Sequence, residues 1–141
     1  MSACRRKGKT AMALVREVLG TVCVAAVLGA APALAAAPGG DAAAGGKLFS
    51  QRCSVCHVIA DDGKTHPAPN LRGVVGRKAA SYPGFNYSPA LKASGITWSS
   101  ASISQFLTAP QTVVPGTFMV ISVPKEDERA NVVAYLASLK K

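Results

Sequence analysis

Cys53-Ser54-Val55-Cys56-His57 is the stretch on which the reading of this chain turns. Two cysteines two residues apart, with a histidine directly after the second, form the attachment pattern for a c-type haem. One helical turn brings both thiols to the same side of the backbone, where each can add to one vinyl group on a porphyrin edge. The next residue, His57, then falls where it can offer an axial nitrogen to the iron. On that reading the rest of the chain is a wrapper for a haem, and it must contain a second axial ligand.

Other chemistries use the same residues. A Cys-x-x-Cys pair serves as a redox dithiol, but no thioredoxin-like strand and helix flank this one. Cys53 and Cys56 could join His57 and His66 around tetrahedral zinc, although His57 abuts Cys56, a poor arrangement for both to reach one small ion. A plain disulfide is a further alternative. The histidine beside the second cysteine favours haem attachment.

The N-terminus has the pattern of a cleaved leader. Arg5, Arg6, Lys7, Lys9 and Arg16 make a basic head, Val18 to Leu34 is almost wholly apolar, and Ala33-Leu34-Ala35 offers a small-x-small cleavage site. A membrane anchor fits less well, because the run holds Gly20, Gly29 and Pro32 and is at the short limit of the roughly 17–25 residues that span a bilayer. The expected organisation is a signal peptide over 1–35 and one domain over 36–141. The full chain of 141 residues carries +9, but the eleven basic and six acidic residues of 36–141 leave +5. That modest charge, with no basic-aromatic platform, excludes nucleic acid as a partner and favours a weakly acidic protein surface. Cys4 and Cys23 depart with the leader, as do Met1 and Met12.

Met119 is therefore the sole thioether of the expected domain. It ends the loop Val114-Pro115-Gly116-Thr117-Phe118-Met119, whose turn residues can present a side chain inward. A thioether paired with imidazole on iron favours the ferrous state and raises the reduction potential. His66 is the rival ligand, but it sits beside Pro67, close in sequence to His57.

The spacing predicts an all-helical domain. Residues 36–40 read as a flexible lead and Asp41 as the N-cap of a helix to about Gln51 or Cys53. Gly45 and Gly46 inside that helix cost about 1 kcal/mol each against alanine, and mark either a close backbone approach or a frayed end. Residues 58–87 are loop, punctuated by Gly63, Pro67, Pro69, Gly73, Gly76, Pro83 and Gly84. Ser88-Pro89 opens a short helix to about Ser94. Ser99 or Ser100 caps another, with Ile103, Phe106 and Leu107 on one face and Pro110 as its stop. Residues 111–123 read as an apolar loop. Pro124 opens the last helix, Lys125 to about Leu139, with Val132, Tyr135, Leu136 and Leu139 as its buried stripe. Acids in its first turn and Lys140 and Lys141 at its end match the helix dipole. Loops this long in so small a domain are usually functional or wrapped around something.

Several separated motifs, in order, resemble class I cytochrome c, in the branch of mitochondrial cytochrome c and bacterial cytochrome c2. They are Gly45-x-x-x-Phe49, Cys53 to His57, Pro69-Asn70-Leu71, Gly73 to Lys78, Pro83-Gly84-Phe85-x-Tyr87-Ser88, Ser94 to Trp98, Pro115-Gly116-Thr117-x-Met119 and Ala134-Tyr135-Leu136. The resemblance covers about 45–139. It implies an all-α fold, the N- and C-terminal helices crossing, and shorter helices and long loops wrapped around one covalently attached haem. Gly45 and Phe49 would meet Val132 and Tyr135 at that crossing. The Pro69 carbonyl would accept the second ring N–H of His57. Arg77, Tyr87, Trp98 and Thr117 would bind the haem propionates.

The implied function is a one-electron carrier in the periplasm, not an enzyme. Haem c would be bound through Cys53 and Cys56, its iron ligated by His57 and Met119. The carrier would be a monomer that docks transiently with donor and acceptor proteins at the exposed haem edge, with no stable membrane insertion after cleavage. The alternatives are a haem subunit held by a periplasmic dehydrogenase and, behind it, a peroxidase or ligand-binding haem protein. The chain departs from the family near the methionine. Phe106 and Leu91 stand where a tyrosine and an asparagine are common, which makes a drier pocket. Gln111, Thr112 and Phe118 stand in place of docking lysines. With Val113, Val114, Val120 and Ile121 they predict an apolar methionine side, while Lys47, Arg52, Lys64 and Lys125 keep charge elsewhere on the rim.

Overall fold

The computed structural model of this protein describes residues 39–140. The expected leader and its boundary at residue 36 lie outside them, as does Lys141. Among the described residues the regular structure is helical, with one isolated antiparallel bridge between Lys78 and Thr97. No helix there is long and apolar enough to cross a membrane.

Side-chain caps define most helix starts. Asp41 accepts from the Ala43 and Ala44 amides at 2.7 and 3.2 Å and opens α1, Ala42–Leu48. The chain continues without a break into a π-helical turn, Phe49–Cys53, in which the Ser54 amide reaches back to the Phe49 carbonyl at 2.9 Å. Ser88 caps α2, Pro89–Ala93, with proline at the position where a missing N–H costs nothing. Ser99 and Ser102 form a reciprocal capping box at the start of α3, Ser100–Thr108. Pro110 does end α3, but it also opens a short α4, Pro110–Val113, inside the segment expected to be loop. Proline is as well suited to a first helical position as to a stop, and here it does both. The last helix, α5, is Glu126–Ser138. Its first turn holds Glu126, Asp127 and Glu128, which favour the positive end of the dipole, whereas Lys140 lies beyond its end.

The crossing of α1 on α5 explains the two glycines. A Cβ on Gly45 would run into the Asn131 carbonyl, so only glycine lets the backbones come this near. Gly45 thus meets the Asn131 carbonyl together with the expected Tyr135, whose Cβ lies 2.9 Å from that position. A Cβ on Gly46 would lie 3.2 Å from the Tyr135 ring, a tight contact with a side chain that can shift. Phe49 stacks on Tyr135 with centroids 5.4 Å apart. Residue 40 is no loose lead. Its φ of 84° and its approach to the Ala130 carbonyl demand glycine, and the Asp41 amide donates to Asn131 Oδ1 at 2.7 Å. The approach of the first helix thus begins one residue before its cap.

Phe49, Val132 and Leu136 from the crossing join Ile103, Phe106 and Leu107 of α3 in one core. Val133 is buried with them, while Tyr135 and Leu139 are half-buried against the core, so the inner face of α5 is rotated towards Val133 relative to its expected stripe. Gly45→Ala is expected to lower the unfolding free energy by about 1–3 kcal/mol through overpacking against backbone that cannot yield. Gly46→Ala should stay within about 1 kcal/mol, because helix propensity offsets the crowding. Urea unfolding of both variants at neutral pH checks the contrast.

Candidate haem site

The π-helical turn delivers Cys53 to the wall of a cleft, and the chain then tightens. The Cys53 carbonyl accepts from the amides of both Cys56 and His57, at 3.1 and 2.8 Å. Cys53, Cys56 and His57 consequently line one cleft. Both cysteines are half-buried and are not joined to each other in a disulfide. Burial is the main cause that raises the Cys53 pKa above its ordinary value; Arg52 acts the other way and Cys56 adds to the rise.

His57 is held by the loop opposite. Its Nδ1 lies 2.8 Å from the Pro69 carbonyl. A carbonyl only accepts, so Nδ1 carries the proton and Nε2 keeps a lone pair. Burial lowers the His57 pKa, and Arg77 lowers it further, against the raising effect of the Pro69 bond. A neutral imidazole with a fixed tautomer is the form that ligates a metal.

The Pro69 carbonyl is itself positioned by a polar network. The Ala68 amide donates to the Cys56 carbonyl at 3.2 Å and the Leu71 amide to the Val58 carbonyl at 2.9 Å. Buried Asn70 donates from Nδ2 to the Ala60 carbonyl at 2.9 Å and accepts from the Arg72 amide at 2.7 Å. Arg77 Nη2 donates to the Asn70 carbonyl at 2.7 Å. Sequence reasoning gave Asn70 no role of its own. A buried asparagine in a loop is the signal that could have found it, since such a side chain must be satisfied.

Met119 is half-buried and lines the same cleft as His57. His66 does not line it. That imidazole rests on the Asp62 carboxylate, Nε2 2.9 Å from Oδ1, so neither the rival-ligand nor the zinc reading gains a second histidine. Among the described residues no three His, Cys, Asp or Glu side chains gather to hold an ion.

The remaining walls suit a large flat apolar group. Leu71, Val74, Ile103, Phe106 and Leu136 line the cleft, which has about 260 Å³ open to the centres of water molecules. Protein interiors are close-packed, so an apolar opening of this size beside the core fits a bound prosthetic group better than water. Arg77, Tyr87, Trp98 and Thr117 add hydrogen-bond donors to this lining. Burial raises the Tyr87 pKa despite the Tyr82 amide and Arg77 acting to lower it, so its hydroxyl stays protonated at neutral pH. Phe106 packs on Trp98 with centroids 5.2 Å apart, and Leu91 also faces the cleft. Both departures from the family pattern therefore make the lining less polar.

The rim differs in part from expectation. Phe118, Val120 and Ile121 are 67%, 73% and 50% exposed. Val114 is buried in the core and Val113 is half-buried, so neither belongs to that apolar face. The turn of α4 rotates them inward, which a loop reading could not anticipate. On the charged side, Arg52 Nη1 lies 2.7 Å and Lys125 Nζ 3.3 Å from the Glu128 carboxylate. All four expected rim cations are exposed, but two of them are thus partly neutralised. Gln111 has a role that sequence reasoning missed, since its amide donates to the carbonyls of Thr117 and Met119 at 2.6 and 3.2 Å.

A helical fold whose first and last helices cross beside a Cys-x-x-Cys-His cleft defines a covalent haem-binding electron carrier. The profile of the family described as Cytochrome c matches residues 42–140, and the chain belongs to that family. It is 44% identical over 95 residues to cytochrome c2 of Rhodomicrobium vannielii, covering 67% of this chain and 75% of that protein. The structure of cytochrome cH from Methylobacterium extorquens is 42% identical with a TM-score of 0.65, covering 70% of this chain and 99% of that one. That of cytochrome c2 from Rhodospirillum centenum is 34% identical with a TM-score of 0.67, covering 72% and 100%. The chain is thus an electron-transfer protein of haem c and not an enzyme.

The Arg52 bond holds the Glu128 carboxyl below its ordinary value of 4.5, with Lys125 assisting and burial opposing. The pair therefore contributes stability above pH 4.5, and loses it as the pH falls through the lowered pKa. Glu128→Gln is expected to be less stable than the parent at neutral pH, and the difference should vanish under acid conditions. Urea unfolding of both proteins at a series of pH values between 7 and 3 measures it.

Proposed function

We propose that this protein is an exported one-electron carrier acting in the periplasm once residues 1–35 are removed, with 36–141 as the working domain. Cys53 and Cys56 hold the haem, and His57 and Met119 ligate its iron. The observation that carries this reading is the 2.8 Å contact between His57 Nδ1 and the Pro69 carbonyl, in a side chain that shares its cleft with Met119. The bound haem supplies the exchange of one electron between ferric and ferrous iron. Every other task belongs to the chain. Pro69 fixes the imidazole tautomer and strengthens its basicity. With His57 and Met119 both committed to the iron, no position is left for dioxygen, which suits transfer over catalysis. Arg77, Tyr87, Trp98 and Thr117 give the propionates the hydrogen bonds that buried carboxylates require. Arg77 is oriented for that task by the carbonyls of Asn70 and Arg72.

The partner docks transiently at the cleft rim, through a face that is part apolar and part cationic. Phe118, Val120 and Ile121 make a patch of the kind that marks interaction sites. The same patch favours one second reading, a subunit held permanently by a dehydrogenase. Size exclusion of the exported protein separates the two, since the carrier elutes as a monomer.

The absorption spectrum of the exported protein tests the ligand set. It is expected to show low-spin c-type haem in both oxidation states, with a weak near-infrared sulfur-to-iron band when oxidised. A high-spin spectrum, or a band that survives Met119→Ala, removes Met119 as ligand. Docking is tested by the rate of electron transfer to an acidic redox partner as ionic strength rises. The decline should be shallower than for a lysine-ringed cytochrome c, because fewer free charges are left to screen.

A further inference from the structure

The segment that carries Met119 is held by remarkably little of its own backbone. Thr117 closes a turn onto the Val114 carbonyl at 3.0 Å, and the Val123 amide joins the Leu107 carbonyl at 2.7 Å. Among the described residues, positions 118–122 make no backbone–backbone hydrogen bond at all. Packing within the chain holds them little, since Phe118, Val120 and Ile121 line the cleft at its rim and remain largely exposed. Arg129 fixes the exit, donating from Nη1 to the Val123 and Pro124 carbonyls at 3.0 and 2.9 Å. The Met119 amide reaches Thr117 Oγ1 only at 3.4 Å.

One side chain restrains the middle. Gln111 Nε2 donates to the Thr117 carbonyl at 2.6 Å and to the Met119 carbonyl at 3.2 Å. An amide NH₂ has two hydrogens, so one nitrogen can satisfy both carbonyls together. These carbonyls flank Phe118, and joining them fixes the backbone on each side of it. The position of Gln111 on α4 matters as well, because α4 is anchored through buried Pro110 and its neighbour Val114.

We propose that Gln111 is a positioning residue that clamps residues 117–119 and so sets how readily the Met119 side chain leaves the iron. The inference rests on Met119 being an axial ligand, but the clamp itself does not. It acts through the backbone of Met119 and touches neither haem nor iron. Gln111 is solvent-exposed, so the restraint can be removed without opening a cavity.

The test compares Gln111→Met, which keeps length but lacks donors, with Thr112→Ala, a neighbouring change on the same exposed turn. Backbone amide order parameters of 118–121 in the ferrous protein read the clamp directly. They should drop in Gln111→Met towards the flexible range below about 0.6 and stay at parent values in Thr112→Ala. Added imidazole reads the consequence in the oxidised protein. Gln111→Met should bind it about tenfold more tightly than the parent, the scale of losing two partly exposed hydrogen bonds. Unchanged order parameters overturn the clamp. An unchanged imidazole affinity overturns its control of Met119, and so does a gain matched by an equal fall in the global urea stability. If the parent lacks the sulfur-to-iron band, the ligand assignment fails while the order parameters still decide the clamp.

Discussion

Gly45 lies so close to the Asn131 carbonyl that no side chain fits between them, and much of the molecule follows from that approach. It fixes the crossing of the first helix on the last, and the crossing brings Phe49 against Tyr135. From Phe49 the chain runs straight into the turn that presents Cys53. Leu136, on the other helix of the crossing, becomes a wall of the same cleft. Backbone packing at the crossing therefore helps to place the attachment segment beside the cleft.

The two sides of the cleft are held by different physics. On the histidine side, backbone bonds and the buried side chain of Asn70 tie residues 56–77 into one polar framework. Its central bonds, around buried Asn70, are partly shielded from water, which makes a hydrogen bond more costly to break. On the methionine side the wall is apolar and largely exposed, and its polar restraint comes chiefly from one exposed glutamine and the Arg129 anchor behind it. Such a division ties His57 into a hydrogen-bonded framework and leaves Met119 on a loop with few backbone bonds of its own.

Local chemistry was legible in the sequence and long-range chemistry was not. Asp41, Ser88 and Ser99 announce their helices because a cap is a contact within a few residues, and the structure places each helix start where they stand. Cys53, Cys56, His57 and Met119 were likewise legible by type and motif, and the fold brings all four to one cleft. Pro110 misled because the same residue serves as stop and start, and the inward rotation of Val113 and Val114 was lost with it. Gln111 left no trace because its partners are backbone carbonyls, which every residue has. Gly40 was passed over for the same reason, since what it meets is the Ala130 carbonyl across the fold.

The π-helical turn at Phe49–Cys53 has a consequence for how the chain can change in length. A turn of this kind carries one residue more than an α-helical turn, and that extra residue sets the angle at which Cys53 leaves the helix. Deleting a residue from α1, with that wide turn left in place, would swing everything downstream by about 100° around the helix axis. The thiols and His57 would then point away from the cleft, although every one of them was still present. The turn works as a phase-setter. Between Gly45 and Cys53 the spacing is locked as firmly as the identities, and insertions or deletions belong in the loops beyond His57.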